Sequence, residues 1–286
     1  MTSTIAVDSR AATRSHAPLG RLVAAELRWV LRRPRTLVVL ALLALIPIAV
    51  AIGIAAAGAP ESGRGPGLIA QVAGNGFVLP VVALGLALTL LLPLAVASAA
   101  ADAVAGEAAT GTLRGLLIAP VGRMRLVVMK SAGVVTVAVL AVVIIAVVGM
   151  VAGTVVVGGP GSLITLSGTT LGFGEALGRI ALVAVWTVGQ LLAVGAVALA
   201  ISTLTEHPLV VLTSVLGGMI VFGVLSAIPA LDWMQPLLLT TGLTAGTDVL
   251  RDPLPLDGLA SSSLRALVYV VVGMTVTVVR LRRRDA

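Results

Sequence analysis

Polar residues fall along this chain in a few short islands, and between them run stretches in which almost every residue is apolar. Six stretches approach or exceed the length of about 20 residues that an α-helix needs to cross the hydrocarbon core of a bilayer. They are Leu37–Ala57, Phe77–Ala101, Ser131–Val157, Ile180–Leu204, Pro208–Ile228 and Leu264–Val279. The pattern predicts an all-α integral membrane protein with six transmembrane helices. Pro47 and Pro93 lie inside spans and are expected to kink them.

The islands carry their own patterns. In Gly20–Arg35, Arg21, Arg28 and Arg32 take one side of a helix while Val23, Leu27 and Val30 take the other. This predicts an amphipathic helix on the inner membrane surface, with Trp29 as an interface anchor and Pro34 as its end. Residues 1–19 show no apolar run before a small-residue cleavage site, so they read as a retained, disordered cytoplasmic segment. Residues 20–286 then form one membrane domain. Between the second and third spans lies Asp102–Lys130, the only long loop on its side. Its first part, Asp102–Leu117, suits a helix that Pro120 stops, and Arg123, Arg125 and Lys130 then mark the membrane edge. Asp232–Ser263 is apolar enough to dip into a membrane and too broken to cross it.

Composition removes the soluble alternatives. Hydrophobic residues make up 58% of the chain and charged ones 11%, well under the roughly 25% charge of a soluble protein. Mean hydropathy is +1.14. A soluble enzyme of 286 residues has no core able to hide that surface. The net charge of +7 does not indicate nucleic acid, because the arginines flank apolar spans. Only Arg64, Arg179, Arg251 and Arg265 fall on one side of a six-span topology; the remaining Lys and Arg, out of 19, fall on the other. The positive-inside rule therefore places both termini in the cytoplasm. The Arg-, Ala-, Val- and Gly-rich usage resembles high-GC bacterial coding, so the expected location is a bacterial cytoplasmic membrane, crossed several times.

Candidate chemistry is sparse. There is no cysteine, His16 and His207 are far apart, and no metal site is expected. The single lysine, Lys130, follows Met129, so a Gly-Lys-Ser/Thr phosphate loop is absent. Ionisable residues occur only near span ends, at Asp102, Arg179 and Glu206, which argues against an internal proton relay. No intramembrane protease constellation is present. Gly149-x-x-x-Gly153 offers a site for close helix approach. Apolar spans without a catalytic cluster suit a transport subunit, and equally a membrane scaffold without a transport cycle.

One segment separates those two readings. Glu107, Gly111, Thr112, Leu113, the apolar pair Leu116 and Leu117, Pro120, Arg123 and a later Lys130 follow the order E-x-x-x-G-T-L, two apolar residues, P-V-x-R, K. This resembles the first cytoplasmic loop of ABC type-2 permeases, the membrane subunits of ATP-driven exporters. Gly106 and Gly115 depart from the pattern. The resemblance implies that the loop is a coupling helix docking on a separate ATPase. Asp102, Glu107, Gly111, Thr112, Leu113, Arg114, Leu117, Pro120 and Arg123 would form that contact, with Arg21, Arg28, Trp29 and Arg32 on the membrane-surface helix. It implies two ATPase subunits, a second copy or related permease, lipids as neighbours, and ATP with Mg on the partner rather than on this chain. It further implies a re-entrant outer segment, and a pathway lined by the second and fifth spans for a drug, lipid or modified peptide.

Overall fold

The computed structural model describes residues 19–57, 75–111, 122–158 and 163–283. Among them the chain is helical almost throughout. Helix α1, Leu19–Arg32, is followed by α2, Pro34–Ala57, with Pro34 starting the second helix rather than interrupting it. A 3-10 turn, Gly76–Val78, leads into α3, Leu79–Thr89, and α4, Leu91–Ala103. After the short α5, Ala105–Ala109, come α6, Arg123–Ala152, and a π-turn at Gly153–Val157. Strands β1, Leu163–Ile164, and β2, Thr170–Leu171, make a small antiparallel hairpin that pairs Leu163 with Leu171. Helices α7, Phe173–Ser202, and α8, Pro208–Ser226, precede two 3-10 segments, Pro229–Met234 and Leu239–Leu250, and α9, Asp257–Arg283, closes the described chain.

Five helices are long and apolar enough to cross a membrane, and six if the bent pair α3–α4 counts as one. The pair bends by 55° at Leu90, whose φ of −147° leaves the helix. Pro93 explains the position: it has no N–H for the Thr89 carbonyl four residues back, and its ring clashes there. The kink expected at Pro93 is thus a true break. Helix α2 runs through Pro47 without one.

Three helices start earlier than apolar content suggests. Helices α6, α7 and α9 begin at Arg123, Phe173 and Asp257, not at Ser131, Ile180 and Leu264. Charge does not end a helix when it is paired or capped. At the start of α7, the Glu175 carboxylate accepts the Gly172 N–H at 3.3 Å.

Helix α7 is the centre of the bundle. Its small residues let neighbours approach closely: Gly195 lies under Val134 and Val96, and Gly273 of α9 rests on the backbone of Ala196. Helix α9 runs along α7, while α4 packs on α6, α7 and α8. Helices α2, α8 and α9 keep most of their surface outward. Gly149 and Gly153 are turned inward on their own chain, against Pro80 and Gly76.

Successive long elements reverse direction. One end gathers α1, the start of α2, α5, the start of α6 and the ends of α4, α7 and α9. The other end gathers the hairpin, the start of α3 and the second 3-10 segment, through Asn75 to the Ile164 carbonyl at 3.0 Å and Leu166 N–H to the Leu250 carbonyl at 2.8 Å. Leu239–Leu250, within the segment expected to dip into the membrane, packs on α3, α7, α8 and α9 with Leu239, Ala245, Val249 and Leu250 buried.

Candidate functional site

The inner stripe of α1 contains a charge. Val23, Glu26, Leu27 and Val30 recur at helical spacing, and Glu26 is buried with Val30. Arg21, Arg28 and Arg32 take the exposed side. Across from Glu26 lies Lys130, in the third turn of α6. Its ammonium donates to Glu26 Oε1 at 3.0 Å and Oε2 at 3.3 Å, and to Glu107 Oε1 at 2.5 Å. The lysine side chain is 3% exposed and each carboxylate side chain 8%. Gly133, one turn further along α6, permits the approach, since a Cβ there would stand 3.3 Å from Val30 and 3.5 Å from Glu26.

One ammonium thus joins three segments that are distant in sequence: α1, α5 and α6. Burying such charges is costly unless each finds a partner. The balance shows at Glu107. Burial pushes its carboxyl above the usual value, the adjacent Lys130 charge and hydrogen bond pull it back, Glu26 adds to the rise and Arg33 opposes it.

A second fastening surrounds the first. Asp102, in the last turn of α4, meets Arg33 Nη1 at 3.0 Å and Arg35 Nη1 at 3.2 Å. The Arg33 guanidinium also lies 3.2 Å above the centre of the Trp29 ring, a cation–π contact that holds the half-exposed indole against the α1–α2 corner. Arg35 is 71% exposed, so its pair with Asp102 is screened by solvent.

Backbone geometry aims α5 at Lys130. The chain leaves the helix at Val104, with φ −124°, and the Ala105 N–H freed by that bend donates to the buried Ser202 hydroxyl at 2.9 Å. Helix α5 ends at Ala109, and Gly111 takes φ +72°, a left-handed stop that glycine accepts. Over its described part, to Gly111, the single helix expected over Asp102–Leu117 is interrupted at Val104 and has ended by Gly111. Arg123, at the start of α6, donates to the Leu281 carbonyl at 2.8 Å and caps the end of α9.

Of the residues the sequence singled out, Asp102, Glu107, Gly111, Arg123 and Trp29 gather at this end. Arg21, Arg28 and Arg32 line its outer surface. Thr112, Leu113, Arg114, Leu117 and Pro120 lie outside the described residues. A groove of about 590 Å³, lined by Trp29, Arg35, Asp102, Gly106, Thr110 and Pro208 among others, opens beside α5. Glu26 and the inward turn of Lys130 escaped sequence reasoning, although a glutamate inside an apolar stripe and a lone lysine were the available signals. Among the described residues no group of three or more His, Cys, Asp or Glu side chains is placed to hold a metal. The arrangement is a set of ion pairs and hydrogen bonds that ties α1, α5 and α6 together.

Residues 22–199 match the model of a family described as ABC-2 family transporter protein. The match spans more than half the chain and takes in Glu26, Asp102, Glu107, Arg123 and Lys130. Among curated proteins, none matches this chain.

Proposed function

The chain belongs to the ABC-2 transporter family, and from that premise we propose that it is the permease subunit of an ATP-driven exporter, coupled to its ATPase through the loop that begins at Glu107. It is a multi-pass membrane protein, and permeases of this family work with ATPase subunits. In the reading proposed here α3–α4 is one broken span, the chain crosses six times, and the end carrying α1 is cytoplasmic in a bacterial membrane. Two ATPase subunits dock below two permease copies, or one copy and a related chain. ATP and Mg are held by those partners.

The observation that carries the reading is the Lys130 junction. A force on the Glu107 loop reaches α1 and α6 through one buried ammonium, and α7 through the Ala105–Ser202 hydrogen bond. Closure of the ATPases then moves several helices together rather than one flexible loop. Glu107 acts here as a positioning residue: it holds the base of the loop, while Gly111, Thr112, Leu113 and Arg114 meet the partner. Leu239–Leu250 serves as the re-entrant outer cap. The cargo is hydrophobic or amphipathic, a drug, lipid or modified peptide. An apolar cavity of about 300 Å³ between α2, α4 and α8, lined by Leu43, Leu91, Ala95 and Leu212 among others, supports a route along the second and fifth spans.

The test is ATP-driven export from vesicles containing this chain and its ATPase. Glu107→Ala is expected to uncouple ATP hydrolysis from export. Export at the full wild-type rate in that variant would remove the role assigned to Glu107.

A further inference from the structure

Two side chains of α9 hold the chain where it enters the second 3-10 segment. The Tyr269 hydroxyl donates to the Leu237 carbonyl at 2.7 Å, and Arg265 Nη1 donates to the Leu238 carbonyl at 2.9 Å. Arg265 and Tyr269 stand about one helical turn apart, so one face of α9 grips two consecutive carbonyls. Leu238 and Leu239 are both buried at this latch. Gly242 closes on Ser262 beside it, where a Cβ would stand 2.5 Å from the serine Cβ.

The latch residues also wall a cavity. Between α7 and α8 lies a space of about 110 Å³, and both Leu239 and Tyr269 line it. Val194 and Ile201 of α7, with Val215, Gly218, Met219 and Phe222 of α8, supply much of the remaining wall. Among the described residues lining it, the polar side chains are Ser214 and Tyr269, and none is charged. Phe222, Tyr269 and the Met219 thioether favour an aromatic guest, through edge-to-face and sulfur–ring contacts. An apolar cavity of about 150 Å³ takes up benzene. The space here is smaller, so a ring enters fully only when part of the wall yields. Helices α7 and α8 are unbroken along it. The yielding part is the entry to the 3-10 segment, whose hydrogen-bond geometry is poorer than that of an α-helix.

We propose that this cavity is a subsite for one uncharged aromatic ring, and that filling it releases the latch on Leu237 and Leu238. The ring gains room when Leu239 and Tyr269 move outward. It therefore binds the released state better and shifts the equilibrium toward it. A charged ring finds no counter-ion in the wall and is rejected by desolvation. This deepens the exporter reading by naming a feature of the cargo. It rests on that reading for the ring being part of a cargo and for the segment being an outer cap, though not for the binding or the latch.

The experiment uses the full chain in nanodiscs without any ATPase, with toluene as the ring and benzyltrimethylammonium as its charged counterpart. The chain has no cysteine, so Leu238→Cys places a single thiol at the latch. Its labelling by a water-soluble maleimide should speed up several-fold with toluene, saturably, and should not respond to the cation. In the same background Gly218→Leu fills the cavity from a position where a Cβ meets nothing within 4 Å, and should abolish the response. Toluene dissolved in the bilayer acts alike on both chains, so their difference isolates the cavity. Tyr269→Phe keeps the ring and removes one hydrogen bond, and should label about fivefold faster without toluene. No saturable response, an equal response in Gly218→Leu, or an equal effect of the cation would each overturn the subsite. An unchanged rate in Tyr269→Phe would overturn the latch. Failure here with ATP-driven export intact would break only this inference. A toluene response intact in a chain that engages no ATPase would break only the exporter reading.

Discussion

At one end of the bundle three segments meet on a buried ammonium; at the other, two segments meet on a pair of glycines. Gly76 and Gly153 are packed so closely that a methyl group on either would collide with the other's carbonyl, and the Gly76 N–H donates to the Gly158 carbonyl at 3.0 Å. Contact of that kind is short-ranged: a gap of about 0.5–1 Å forfeits a quarter to a half of its attraction. Charge attraction falls only as the inverse of distance. The junction of Lys130 with Glu26 and Glu107 therefore survives small displacements, and the Arg33 charge lies close enough to act on the Glu107 carboxyl as well. The glycine end resists displacement, and the charged end tolerates it better.

The largest effect should come from removing the shared cation. Lys130→Met leaves Glu26 and Glu107 buried side by side, and a loss of about 3–5 kcal/mol is expected. Thermal unfolding in nanodiscs measures it, and adding Glu26→Gln and Glu107→Gln should restore much of the stability. A cost near zero for Lys130→Met alone would break the comparison at its charged end. At the other end, Gly153→Ala forces backbone apart and should cost about 1–3 kcal/mol by the same measurement, with ATPase association unchanged.

The pH profile sharpens the comparison further. Burial raises the Glu107 carboxyl above its ordinary value of 4.5, so the folded chain keeps that proton to higher pH than the unfolded chain does. Its contribution is thus fully present below the ordinary value and declines as pH rises through the raised one. Glu107→Gln has no such loss. Relative to wild type, its melting temperature should climb as pH rises from 4.5 and then level off. The smallest effect belongs to Arg35→Ala, where an exposed pair with Asp102 is worth about 0–1 kcal/mol.

The sequence made the long helices legible because apolar runs of that length have few other uses. It misjudged where three of them start. Helix α6 runs back past Lys130 to Arg123, and no local pattern says that a lysine near a span will be buried by a glutamate 104 residues away. Glu26 was visible as a carboxylate within an apolar stripe, but its partner comes from tertiary packing. Pro93 broke its helix and Pro47 did not; α3–α4 lies in the core, whereas α2 is mostly outward, and the sequence of each proline's surroundings does not carry that difference. The described residues of the loop motif, Glu107, Gly111, Arg123 and Lys130, gather at the end that carries α1. The turn of Glu107 toward Lys130 was not in the motif, because it depends on the bend at Val104 and on Ser202. The hairpin of β1 and β2 has strands of two residues, too short for any alternation to show.

The central claim is that this end of the chain receives an ATPase. Tagged chain purified in mild detergent from its native host, with bound proteins identified and ATPase activity assayed, tests it most directly. The account predicts a stoichiometric P-loop ATPase that is lost with Arg114→Glu and retained with Gly153→Ala. A chain that purifies alone, or an ATPase that stays bound equally to the Arg114 variant, would contradict it.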